Sequence, residues 1–87
     1  MYLIYWLINQ KAKETYIGFT DNLKERLNQH RNKRVKSTKN FNNFSCVILE
    51  KVSTREIARE REKYWKSHAG RKKLKNIFNK LKDNNKI

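Results

Sequence analysis

Five residues of this 87-residue chain combine types and spacing suited to chemistry on an anionic substrate. Tyr5 closes the triplet Leu3-Ile4-Tyr5, and Tyr16 opens Tyr16-Ile17-Gly18 after a short polar stretch. Arg26 and His30 follow at positions i and i+4, a separation that puts two side chains on one side of a helix. Glu62 stands far downstream. A guanidinium neutralises anionic charge, phenols and an imidazole exchange protons, and a carboxylate is a hard ligand for a divalent cation. Taken singly, each has an ordinary reading: core aromatics with satisfied hydroxyls, a solvated arginine, a partly buried histidine, a glutamate paired with Lys63 or Lys66.

The surrounding pattern predicts the elements that would position them. Tyr2 to Ile8 is apolar on both alternating faces and reads as a buried strand. Thr15 to Thr20 is rich in strand formers and reads as its return partner. Pairing Asn9 with Glu14 sets Tyr5 opposite Gly18 and Leu7 opposite Tyr16, so both phenols and Gly18 share a face. A slip of one residue would separate them. Gly18 reads as a bulge or as an opening for a phosphate backbone. Asp21 is the expected N-cap of a helix over about 22–32, with Leu23, Leu27 and His30 inward and Arg26 at their margin. Arg31, Lys33, Arg34, Lys36 and Lys39, with Ser37 and Thr38 and no acid among them, read as a mobile arm that grips phosphate. A third strand is expected from Phe44 to Val52, with the apolar run Cys46-Val47-Ile48-Leu49 suggesting the sheet centre. Ser53 and Glu56 form a capping box ahead of a helix over about 54–67. Gly70 reads as a stop, followed by a basic helix over about 71–81 with Leu74, Ile77, Phe78 and Leu81 inward. The expectation is one α/β domain over residues 1–81, a small three-stranded antiparallel sheet flanked by about three helices. Residues 82–87 form a frayed basic tail.

Composition narrows the partner. Lys and Arg number 22 against 8 Asp and Glu, a net charge of +14. That excess predicts a polyanion, with nucleic acid the first candidate. No run of about 20 apolar residues is present to span a bilayer. The start has no leader-like pattern, so a cytoplasmic protein without a membrane partner is expected. The single Cys46 excludes an internal disulfide, and one thiol with two distant histidines makes no zinc site. Its apolar flanks make it an inert core residue.

These motifs together resemble the GIY-YIG nuclease family, and most closely its small stand-alone bacterial subgroup. Leu3-Ile4-Tyr5 and Tyr16-Ile17-Gly18 match the two name motifs. Arg26 and His30 match within Lys24 to His30, and Glu62 within Ala58 to Lys63. Arg34 to Lys39 and Tyr64 to Arg71 resemble the subgroup's basic loop and its segment after the glutamate. The likeness runs from Tyr2 to Phe78. It departs at Leu3, where the family name has glycine, and at Phe41-Asn42-Asn43-Phe44, where the subgroup usually has a proline.

The resemblance implies an endonuclease that hydrolyses DNA phosphodiester bonds, with low sequence specificity or selectivity for DNA structure. RNA stays open as a substrate, and DNA repair or recombination as the setting. It implies one divalent ion, Mg²⁺ or Mn²⁺, on Glu62, and a motif tyrosine that takes a proton from water. Tyr5 is the expected base, its ionisation eased by Arg26 and a metal, with Tyr16 positioning water or sharing the role. Arg26 would stabilise charge on phosphorus, and His30 would orient Tyr5 or relay its proton. Gly18, Arg31, Lys33, Arg34, Lys36, Ser37, Thr38, Lys39 and Arg71 are the expected nucleic-acid contacts. Asn76 corresponds to a family asparagine near the site. The alternatives are a non-catalytic nucleic-acid-binding module of the same fold, and a recruiting module with an apolar patch at Phe41 and Phe44.

Overall fold

The apolar run near the N-terminus has no polar face to turn to water, and it takes the middle of the sheet; the Cys46 to Leu49 run, expected at the centre, lies on an edge strand instead. A computed structural model describes residues 1–9, 14–38 and 44–83. Its strands β1 (Tyr2–Asn9), β2 (Thr15–Thr20) and β3 (Phe44–Val52) form one antiparallel sheet in the order β2-β1-β3. Tyr5 pairs with Gly18 and Leu7 with Tyr16, the register that the hairpin pattern predicts. The Asn9 amide donates to the Glu14 carbonyl at 2.8 Å and closes the ladder. On the other side of β1 the register shifts between Ile4 and Tyr5: Ile4 pairs with Glu50 and Tyr5 with Ile48, so the extra residue is Leu49 of β3.

Alternation along β1 divides the molecule into two layers. Ile4, Trp6 and Ile8 face helices α2 (Arg55–Lys66) and α3 (His68–Asp83), where Ala58, Trp65 and Leu74 complete the larger core with Ile17. Tyr5 and Leu7 face helix α1 (Leu23–Arg31), which covers them with Leu23 and Leu27 beside Tyr16, Phe44 and Cys46. Burial pushes the Cys46 thiol up, consistent with an inert residue. Glu50 of β3 ties the sheet to α2 by accepting from Arg61 Nε at 2.7 Å and Trp65 Nε1 at 2.6 Å. No helix among the described residues is long and apolar enough to cross a membrane.

Several boundaries differ from expectation. Asn22, not Asp21, caps α1: its side chain accepts from the Glu25 amide at 3.2 Å, while its own amide donates to Thr20 Oγ1 at 3.0 Å. Thr54, not Ser53, caps α2 through the Ile57 amide at 3.2 Å. In both places two good capping residues adjoin, and composition does not choose between them. Gly70 does not stop a helix. It lies inside α3, buried, where an added Cβ would sit 2.5 Å from Trp65 Cα and against the Tyr64 carbonyl. The missing side chain lets α2 and α3 meet, and the chain turns at Ser67. The last helix continues to Asp83, past the boundary expected at Leu81. Lys36–Thr38 form a short 3-10 turn within the stretch read as a mobile arm. Lys39 and Phe41 lie outside the described residues.

Candidate active site

The face of β1 covered by α1 holds a chain of buried polar groups. Tyr5 and His30 are both fully buried, and Tyr5 Oη lies 2.9 Å from His30 Nε2. His30 Nδ1 lies 2.6 Å from Thr38 Oγ1, and that hydroxyl is 3.5 Å from the Val35 carbonyl. Arg26 Nε donates to Tyr5 Oη at 3.4 Å, and Arg26 Nη1 donates to Gln29 Oε1 at 2.7 Å. Burial, with the nearby Arg26 charge, pushes the His30 pKa down to about 4. The imidazole is therefore neutral at pH 7 and carries one N–H. A guanidinium only donates, so the Tyr5 oxygen accepts from Arg26. The single N–H of His30 serves one of its two contacts, Tyr5 or Thr38, and the other nitrogen accepts.

Tyr5 departs from expectation. Burial outweighs the hydrogen bond from Arg26, and the neighbouring Tyr16 adds to the effect, so its pKa is pushed up to about 12. The same contact with Tyr5 pushes Arg26 up and keeps it charged. Tyr16 stacks beside the pair, its ring 6.1 Å from Tyr5 and 5.0 Å from His30, and it is only half-buried. Gly18 also departs from expectation. The space over it belongs to the phenols, because a Cβ there would lie 2.7 Å from Tyr5 Oη and 2.9 Å from Tyr16 Cε1. It makes room for Tyr5, not for a phosphate backbone.

Tyr5, Tyr16, Arg26 and His30 thus converge on one face. No hydrogen bond or ion pair among the described residues joins them to Glu62. That side chain is 22 % exposed on α2, 3.7 Å from Lys66 Nζ. Helix α2 packs on the opposite side of the sheet, against β1 and the edge strand β2. Arg31, Lys33, Arg34 and Lys36 are exposed at and beyond the end of α1, and the Arg31 guanidinium lies 5.6 Å from the Phe44 ring centroid. Ser37 lies in the 3-10 turn. Thr38 is not a free phosphate donor: it is fully buried, and its hydroxyl is taken by His30. Arg71 and Asn76 are exposed on α3, in the layer away from the phenols. Sequence reasoning missed Gln29 and the role of Thr38. Gln29 was signalled by its i+3 spacing from Arg26, whereas nothing local links Thr38 to His30.

A three-stranded antiparallel sheet whose face joins two phenols, a guanidinium and a neutral imidazole defines a small α/β domain equipped for proton transfer beside an anion. The chain belongs to the GIY-YIG family: the GIY-YIG catalytic domain matches residues 1–76. No curated protein and no solved structure matches the chain. Domains of this family are endonucleases that act on DNA and are generally divalent-metal dependent, so a nuclease is the general class of this chain.

Proposed function

We propose that this protein is an endonuclease that hydrolyses DNA phosphodiester bonds with one Mg²⁺ or Mn²⁺ ion, with low sequence specificity or selectivity for DNA structure. The observation that carries the reading is the buried Arg26–Tyr5–His30 contact beside Tyr16. A buried phenol in the core needs a single hydrogen-bond partner; a charged guanidinium and a neutral imidazole on the same oxygen exceed that need.

A base must touch the water it deprotonates. The Tyr5 oxygen is enclosed, engaged on two sides and held in its protonated form. Tyr16 is the partly open phenol of the pair, and it takes the proton from the attacking water. Tyr5 positions it, and His30 and Thr38 hold Tyr5 in turn. Arg26 neutralises the charge that builds on phosphorus.

Among the described residues no group of three or more His, Cys, Asp or Glu converges. A single carboxylate still suits Mg²⁺ or Mn²⁺, which keep several waters and take oxygens from a substrate phosphate. Glu62 lies on the helix that packs on β2, the edge strand that carries Tyr16, and from there it would hold the ion, which when bound supplies electrostatic stabilisation to the phosphate and the leaving oxygen. Metal affinity without DNA is accordingly weak.

The test is nicking of supercoiled plasmid with and without Mg²⁺. Arg26→Ala and Glu62→Ala should each slow it by about 100-fold or more. Variants that cut as fast as the parent would remove these residues from the site. Salt-sensitive binding without metal-dependent strand breaks would instead mark a non-catalytic module of the same fold.

A further inference from the structure

The layer away from the phenols contains a groove of about 1050 Å³ between α3 and the hairpin of β1 and β2. Its floor is apolar: Trp6, Leu74 and the half-buried ring of Phe78 meet there, with the Trp6 and Phe78 rings edge to face at 6.5 Å. Its exposed rim is cationic, with Lys66, Arg71, Lys75 and Lys82. On α3 these belong to one stripe: 71, 74, 75, 78 and 82 recur at helical spacing. No acidic side chain lines the groove among the described residues. Trp6 is 3 % exposed, and its indole Nε1 has no hydrogen-bond partner among them.

We infer that this groove binds an unpaired nucleotide of a nucleic-acid strand, with the base on the apolar floor and the flanking phosphates on the rim. The inference rests on the reading that the chain acts on nucleic acid. Charge alone would serve a duplex, whose outer surface is phosphate and sugar. An aromatic and aliphatic floor beneath the cations adds something a paired base does not use. A single strand presents both parts at once, since its bases stack on aromatic rings while its backbone follows positive charge. The groove faces away from Tyr5 and Tyr16, while Lys66 on its rim lies 3.7 Å from Glu62, so a strand held there is a second segment that borders the one cut. The substrate class is then nucleic acid with an unpaired arm, flap or gap.

The decisive measurement is fluorescence anisotropy of a labelled oligothymidylate against an abasic oligomer of equal length, which keeps the phosphates and lacks the bases. At physiological salt the parent should bind the base-bearing strand about tenfold more tightly. Phe78→Leu, which keeps the floor apolar, should shrink that preference to about twofold. Lys75→Glu should weaken both oligomers several-fold more than Lys51→Glu, the same charge change on β3. Thermal melting of each variant identifies losses due to unfolding. Equal binding of the two oligomers by the parent overturns the inference. So does a preference that survives in folded Phe78→Leu, or a Lys75→Glu effect no larger than that of Lys51→Glu. Plasmid nicking by the parent and by Glu62→Ala, run alongside, reports on the nuclease reading separately.

Discussion

Burial holds His30 neutral, so of its two ring nitrogens one donates and one accepts, towards Tyr5 and Thr38. Thr38→Val keeps the shape but leaves His30 Nδ1 without its partner. It should cost about 1–3 kcal/mol, read as a lower urea midpoint, and slow nicking about tenfold. Thr38→Ser should restore both. The depressed His30 pKa also makes stability depend on pH. Between its unfolded value of 6.5 and about 4 the unfolded chain binds the extra proton. The contribution is therefore full above pH 6.5 and is lost as pH falls toward 4, on the order of 3 kcal/mol in all. His30→Phe should flatten that part of the pH profile in urea unfolding. An equally steep profile in the variant would assign the loss to other groups. The convergence of Tyr5, Tyr16, Arg26 and His30 was legible in the sequence, because strand parity and helical spacing fix which side chains share a face. The raised pKa of Tyr5 was not, because it depends on enclosure by residues distant in the chain.

Elements explain two choices that the residues alone leave open. Gly18 sits opposite Tyr5 in the ladder, and the phenol lies across the place where its side chain would be. Gly18→Ala should displace Tyr5 from His30, lower stability by about 1–3 kcal/mol and abolish most nicking, as melting and plasmid assays would report. Lys33 ends α1 in the left-handed region with φ 61°; its amide bonds the His30 carbonyl and the Arg34 amide bonds the Gln29 carbonyl. Glycine is the usual residue at that position. Lys33→Gly should raise stability by roughly 1 kcal/mol in chemical unfolding while weakening DNA binding, the signature of a cation kept at a conformational cost. The three strands and the three helices follow from periodicity, which is why they were readable in advance; the sheet order was not, because β1 and the Cys46 to Leu49 run of β3 are both apolar enough for the centre, and β1 takes it. The role of Gly70 was not, because a close approach of two helices and a helix end both call for glycine, and only the packing of Trp65 distinguishes them.

At the scale of the molecule, the excess of +14 is spread over both sides of the sheet. Arg31, Lys33, Arg34 and Lys36 stand at and beyond the end of α1, and Arg71, Lys75 and Lys82 stand along α3. Binding that releases counterions weakens as salt rises, with a slope that counts the phosphates neutralised. Duplex affinity should fall by about two orders of magnitude between roughly 50 and 200 mM salt. If the cations after α1 grip the cut strand, Arg34→Gln with Lys36→Gln should reduce the logarithmic slope by roughly two. On the proposal that Glu62 serves a metal and not the phosphate grip, Glu62→Ala should leave the slope nearly unchanged while nicking is lost. Fluorescence anisotropy over a salt series separates the two effects. A parental slope in the double variant would assign duplex binding to the α3 side, and would place the phosphate grip on the face opposite the phenols.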